Sequence, residues 1–409
     1  MLSFRREEIL VKIRDLKVAI VNVPGLGRIG IVRVDTDEGI CGYGEAHCPR
    51  DHVLRLKNFL VGQDPTNVGK VMSRMQYMGG FKPWGSAVSA VEMALWDITG
   101  KAFGLPVYRF LGGKNREKIR VYCDCGVGVP LDPNDPASMY MPEAYAEKAK
   151  RMKSLPEGFT ILKFDIGFHG RQLLNVKGGS FEAEPAYPTK GHVTERGLKS
   201  EIAIVKALKD VLGDEVGLAL DCGPGQSFPS ALKLAKALEP YNLMWAEDLL
   251  TGDYSPYTEV YLYGLLSRRT TTPILTGEQI YLRYGFRDLI GKHAVDIVAP
   301  DVSDVGGIYE LKWIAEFADL YGVLIAPHNY GLPIAFMANV HAAAAMPKNF
   351  IAFEHHAAHV AQWEDFVKGL EKPLIRDGFV NVPEKPGLGI EVNEDAVRKY
   401  LVEGEDFFE

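Results

Sequence analysis

Three carboxylates recur at regular spacing, each closing a short apolar run: Asp221 in GLALDC, Glu247 in LMWAED and Glu278 in PILTGE, 26 and 31 positions apart. If each run is a β-strand followed by a helix, this spacing is one βα unit, and neighbouring parallel strands set the three carboxylates side by side. Three oxygen ligands at one rim suit a hard cation such as Mg²⁺, with positions left open for substrate and water. Without a cation, three such groups would repel one another in a partly dry cavity. Asp301 in IVAPDV and His328 in VLIAPHN lie 27 positions apart, hence also on neighbours. An aspartate at one ring nitrogen fixes the tautomer of an imidazole and raises its pKa, which makes His328 a general base or acid near neutral pH. Glu354 in FIAFEHH ends the last run, placed to hydrogen-bond a substrate or to donate a proton.

The run ILKFDIG adds a lysine and an aspartate, Lys163 and Asp165. Strand side chains alternate, so both face one side, either as catalytic groups or as an ion pair inside the fold.

These residues need a scaffold that brings strand ends together. From residue 121 to about 360, eight β-rich runs alternate with helical segments such as SALKLAKALEPY. Strands covered on both faces by helices read as continuous apolar runs, and eight βα units closing on themselves form a barrel whose chemistry sits at the C-terminal strand ends. Acids or histidines at almost every run's end fit that rule better than a series of unrelated helix caps. Residues 1–118 read instead as alternating strands (VKIRDLKVAIVNV, GIVRVDTDEGICGYGEA) followed by a helix, an α+β unit. The fold expected is α/β: a modified TIM barrel over 119–365, the α+β unit capping it, and a tail, 366–409, packing back on the cap. The Gly- and Pro-containing connection from Phe168 to about Lys199 is longer than a usual βα loop.

Composition removes other classes. The 409 residues carry a net charge of −7, with no block of five like charges, which leaves no basic field for nucleic acid. No stretch approaches the roughly 18 apolar residues of a membrane span, and five cysteines without a C-x-x-C pair favour reduced thiols in the cytoplasm. Gly25-Leu26-Gly27-Arg28-Ile29-Gly30 matches a dinucleotide fingerprint, but the alternating IVRVDTDEG follows where a helix is required, so a hairpin loop is expected, a candidate lid. Glu354-His355-His356-Ala357-Ala358-His359 lacks the H-E-x-x-H order of a zinc site; Glu354 is expected to face the barrel axis while the histidines flank a loop.

Taken together, the acidic series, the Asp301/His328 pair, Glu354 and the local pieces AVSAVEMALWDITGK, FLGGK, PDVSDVGGI and KPGLGIEV resemble the enolase superfamily, mandelate racemase type, over nearly the whole chain. That resemblance implies Mg²⁺ held by Asp221, Glu247 and Glu278, and removal of the proton α to a carboxylate to give an enediolate, with a Lys or His as base. It also implies a small-molecule carboxylate substrate and a homo-oligomer, dimer to octamer. Family members often carry Lys-x-Lys on the second strand, the second lysine being a base opposite the histidine. Here the strand reads Lys163-Phe164-Asp165, so the lysine that neutralises the substrate carboxylate is kept and the second base is replaced by an acid. This weakens a racemase or epimerase reading and favours a dehydratase of acid sugars, with a cycloisomerase and a non-catalytic barrel as alternatives. A barrel metallohydrolase would be expected to carry His-x-His where this chain has VYCDC. On the third strand some dehydratases carry Asp-x-His, the histidine serving as acid; here the strand reads Asp221-Cys222-Gly223. The donor to the leaving group is then sought among Asp165, Glu354 and protonated His328, with His169, His47 and Arg28 as further substrate-facing candidates.

Overall fold

The computed structural model describes residues 11–77, 85–166, 193, 195–223, 225–250 and 259–408. His169 lies outside the described residues.

The first unit is an antiparallel meander, β1 (Ile13–Val23), β2 (Gly27–Thr36) and β3 (Cys41–Ala46), backed by a helix over Ser86–Phe103. Residues 24–26 form the turn between β1 and β2, so the glycine-rich stretch is a hairpin and the expected dinucleotide helix is replaced by a strand. The helix lies against β3 at backbone contact. A Cβ on Gly42 would fall 2.1 Å from the carbonyl oxygen of Ala94, and one on Gly44 only 1.8 Å from that of Ala90. Neither obstacle is a side chain that could rotate away, so Gly44→Ala must force strand and helix apart. Overpacking of a core usually costs about 1–3 kcal/mol, and a rigid backbone obstacle places this variant at the top of that range or above. Denaturant unfolding of Gly44→Ala against the parent protein measures it, and a loss below about 1 kcal/mol would contradict so tight a contact.

Eight parallel strands follow: β4 (Lys118–Asp124), β5 (Ile161–Asp165), β6 (Gly217–Asp221), β7 (Trp245–Glu247), β8 (Ile274–Thr276), β9 (Ile297–Val298), β10 (Leu324–Ile325) and β11 (Phe353–His355). They pair in chain order from β4 to β10, and β11 pairs with β4. The Ile325–Phe350 bridge and the Ile351 N–H bond to the Ile325 carbonyl (3.0 Å) join β10 to the start of the last strand and close the barrel. Alternation works as strand geometry requires: Leu162 and Phe164 join the outer core, whereas Ile161 packs inside with Tyr122, Ala219, Trp245, Leu275 and Ile297. That inner layer is the floor of the site.

The tail divides its pairing. β12 (Val367–Lys368) pairs with β15 (Glu391–Val392), while β13 (Ile375–Arg376) and β14 (Phe379–Asn381) form a hairpin whose inner strand pairs antiparallel with the N-terminal half of β4. Beyond it, Leu401 bridges Val21 of the meander, and Arg33 meets Glu394 at 3.2 Å.

Two buried glutamates register the first unit on the barrel. Glu92, on the helix Ser86–Phe103, accepts the N–H groups of Ile308 (2.7 Å) and Tyr309 (3.0 Å) at the start of the helix that follows Asp301. Glu45, on β3, accepts those of Leu332 and Ala335 (3.1 Å) at the start of the helix that follows His328. A helix N-terminus presents unpaired N–H groups and a positive dipole end, so a carboxylate from another unit is a specific fastener there.

Candidate active site at the C-terminal rim of the barrel

The register carries the chemistry to one place. Asp124 lies opposite Lys163, Asp165 opposite Asp221, and Asp221 opposite Glu247, on four successive strands. Lys163 is 1% exposed and finds its acids on the two strands to either side of β5: Glu354 at 3.1 Å, Glu247 at 3.2 Å, Asp124 at 3.5 Å and Asp221 at 3.7 Å. Its ammonium also sits 5.8 Å from the Tyr122 ring centroid. Burial alone would drive such a lysine toward neutrality, but Glu247 and Glu354 outweigh it and hold its pKa well above the ordinary value. Asp165 shares the inner face with Lys163, and its carboxylate lies with those of Asp124 and Asp221.

Across the mouth, His328 Nδ1 is 2.6 Å from Asp301 Oδ2, while Nε2 lies 3.3 Å from Glu278 and 3.6 Å from Glu354. Asp301 is itself held by the Ser303 N–H. The expected pair is therefore formed, with the outer nitrogen turned toward the acids of the site. Burial pulls the imidazole down, yet Glu354 and Asp301 overcome it and push the ring up to about 10. Glu354 accepts the Tyr122 hydroxyl at 3.0 Å and is fully buried. Lys163 and His328 override its desolvation, so its pKa falls and it stays anionic.

The expected metal ligands Asp221, Glu247 and Glu278 stand at the ends of β6, β7 and β8, but their oxygens are not mutually drawn to within 4.8 Å. Among the described residues, the groups within that distance are Asp124, Asp165 and Asp221, and Asp124, Glu354 and His356. The reason is electrostatic: Lys163 attracts Asp221 and Glu247, and His328 attracts Glu278. The donor set nevertheless fits a hard cation. Glu247 Oε1 is buried and accepts no hydrogen bond from the described residues, and burial pushes its carboxyl up to about 7 despite Lys163. An anionic oxygen in that state gains most from a divalent ion bound by oxygen ligands.

The histidines at and after the end of β11 separate. His355 is buried among Phe159, Phe336 and Trp363, and burial lowers its pKa to about 3, a neutral core residue. His356, expected in a flanking loop, instead enters the site: its Nδ1 is 3.5 Å from Asp124 Oδ2 and 3.8 Å from Glu354 Oε1. His359 turns to the first unit, with Nε2 3.4 Å from the Gly25 carbonyl. Tyr330 O–H donates to the Leu26 carbonyl (2.6 Å) and Gln362 to that of Pro24 (3.2 Å), so the hairpin turn is fastened over the mouth at three points. His47 faces this clamp, its ring 5.7 Å from that of Tyr330 and its Nε2 3.8 Å from Glu45. Arg28 is exposed and lines a surface hollow with Cys48, Arg50 and Glu405 on the first unit. Asp124 and His356 are the site residues that sequence reasoning passed over; an acid ending the first strand run was the available signal.

Comparison with known proteins agrees with this architecture. The profile of the mandelate racemase / muconate lactonizing enzyme N-terminal domain matches residues 8–112, and that of the enolase C-terminal domain-like family matches residues 144–396. A D-xylonate dehydratase of Haloferax volcanii is 37% identical over 93% of this chain and 87% of its own length. A D-galactonate dehydratase of Pectobacterium atrosepticum is 30% identical over 90% of this chain and 89% of its own. Among solved structures, a mandelate racemase/muconate lactonizing enzyme-like protein from Rubrobacter xylanophilus superposes with a TM-score of 0.83 at 31% identity, covering 98% of this chain and all of that one.

Proposed function

Because the chain belongs to the mandelate racemase/muconate lactonizing enzyme family of the enolase superfamily, we propose that it is an acid-sugar dehydratase, a Mg²⁺-dependent hydro-lyase converting a 2,3-dihydroxy acid to a 2-keto-3-deoxy acid. The observation that carries this reading is the Asp301–His328 pair beside a buried Lys163, with no second lysine on β5.

In this reading Asp221, Glu247 and Glu278 would hold Mg²⁺, which would supply positive charge against the negative charge that develops on the substrate carboxylate. Lys163 neutralises that carboxylate from the barrel floor. Asp301 keeps the His328 Nδ1–H as donor, and once the ring has given up its Nε2 proton that nitrogen accepts the α-proton. The C–O bond at the β-carbon then breaks, the hydroxyl leaves as water, and the enol tautomerises to the keto acid. Racemisation would need a base on the opposite face as well, and Asp165 occupies the position where such a lysine would stand. Free cysteines accord with a cytoplasmic protein, and no helix among the described residues is long and apolar enough to cross a membrane. We extend the reading to a homo-oligomer.

Incubation with D-xylonate, D-galactonate and related aldonates, with Mg²⁺ or with EDTA, tests this. Metal-dependent release of a 2-keto acid is expected, and no release from any acid sugar would reject the reading. Asp221→Ala should weaken Mg²⁺ binding and turnover together. Calorimetric titration beside the keto-acid assay checks this; unaltered Mg²⁺ affinity would remove Asp221 from the ligand set.

A further inference from the structure

Dehydration requires a second proton transfer. Hydroxide leaves carbon poorly, so the β-oxygen must be protonated as its bond to carbon breaks. Strand β6 continues Asp221-Cys222-Gly223 and offers no acid beyond the ligand. Glu354 is unsuited to donate, since Lys163 at 3.1 Å and the Tyr122 hydroxyl at 3.0 Å hold it as the anion.

Closure of the barrel supplies another group. Pairing of β11 with β4 sets Glu354 opposite Tyr122 and His355 opposite Cys123, and the residues that follow are His356 and Asp124. His356 Nδ1 stands 3.5 Å from Asp124 Oδ2, an ion-pair rather than a hydrogen-bond separation, of the kind that tightens when substrate binds. The carboxylate is fixed from its other side, Oδ1 accepting the Gly126 N–H at 2.7 Å. The Tyr330 ring packs edge-on against the imidazole at 4.5 Å and is tied by its hydroxyl to the hairpin turn above. The ring is held on two sides.

As with Asp301 and His328, an aspartate lies at Nδ1. At His356, however, that same nitrogen also faces Glu354 at 3.8 Å, so the proton it carries stands among the acids of the site. Glu354 lies between the two rings with one oxygen toward each, Oε2 at 3.6 Å from His328 and Oε1 at 3.8 Å from His356. Two imidazoles separated by a single carboxylate can address the α-carbon and the neighbouring hydroxyl of one substrate.

We propose that His356, positioned by Asp124, donates the proton to the departing β-hydroxyl of the acid sugar; the inference rests on the dehydratase reading above. The pair of electrons released at Cα when His328 takes the proton forms the Cα–Cβ double bond. The C–O pair leaves with oxygen, which takes the imidazolium proton of His356 and departs as water. His328 ends protonated and His356 neutral, and solvent restores both.

The test uses the full-length Mg²⁺-loaded enzyme, the His356→Asn variant, the aldonate that the parent dehydrates, and its 3-deoxy-3-fluoro analogue. Fluoride needs no proton to leave. His356→Asn should lose keto-acid release by about 10²–10⁴-fold, yet still exchange the α-proton in D₂O and still expel fluoride at close to the parent rate. Fluoride release also reports that the variant is folded. Dehydration at the parent rate would overturn the proposal, since protonated His328 or another acid would then suffice. Loss of exchange and fluoride release together with dehydration would also overturn it, because His356 would then not act on the leaving group alone. If the parent enzyme neither exchanges nor dehydrates any acid sugar, the dehydratase reading itself fails and this inference falls with it.

Discussion

Replacing His328 by Asn is expected to abolish both keto-acid release and exchange of the α-proton, while leaving Mg²⁺ affinity close to that of the parent. Loss of a general base typically costs about 10²–10⁴-fold, and here no second base on β5 stands ready to compensate. Asparagine retains a polar group toward Asp301, whose carboxylate the Ser303 N–H also supports, so the strand end should hold its shape. The ring contacts Glu278 through Nε2 at 3.3 Å, so its removal takes away a competing cation and should not weaken a metal ligand. Residual turnover near the parent rate would overturn the assignment of His328 as base. A collapse of Mg²⁺ affinity would instead show that the ring helps to build the metal site.

Lys163→Met should have the second large effect, on stability as well as on activity. The ammonium stands among Glu354, Glu247, Asp124 and Asp221, all within 3.7 Å. Removing one partner from a buried charge cluster commonly costs about 3–5 kcal/mol because the remaining charges are left unpaired. The acids must then take up protons or repel one another. In EDTA the variant should melt well below the parent, and Mg²⁺ should restore more stability to it than to the parent, because the ion meets carboxylates with no rival cation. Activity should stay low with the metal restored, by about 10²-fold or more, since the charge facing the substrate carboxylate is gone. Equal melting temperatures in EDTA would contradict the view that Lys163 balances this cluster.

Much of this site was legible in the sequence, for a physical reason. Parallel barrel strands advance by one βα unit at a time, so acids spaced about 30 positions apart at the ends of apolar runs must stand side by side, whatever the helices between them do. The Asp301–His328 pair and the inward aim of Lys163 followed from that and from the period of two along a strand. What escaped was the contact made by closure. Asp124 and His356 are 232 positions apart and meet only because β11 returns to β4. Nothing in EHHAAH distinguishes His355, sealed among aromatic rings, from His356, whose ring enters the mouth; one residue of register decides between core and site. The clamp of Tyr330, His359 and Gln362 on the hairpin turn was equally hidden, since it depends on how one unit is seated on the other. So was the crowding about Lys163. A strand pattern tells which face a side chain uses, but the ion pairs it makes depend on distances across the barrel.

The most direct test of the central claim, that these strand ends converge on the α-carbon of a carboxylic acid, is turnover of an aldonate in D₂O with Mg²⁺, followed by NMR of substrate and product. The expected product is a 2-keto-3-deoxy acid that has lost the C2 hydrogen and carries solvent deuterium at C3, with no product from His328→Asn. Mg²⁺ binding with neither exchange nor product for any acid sugar would contradict it.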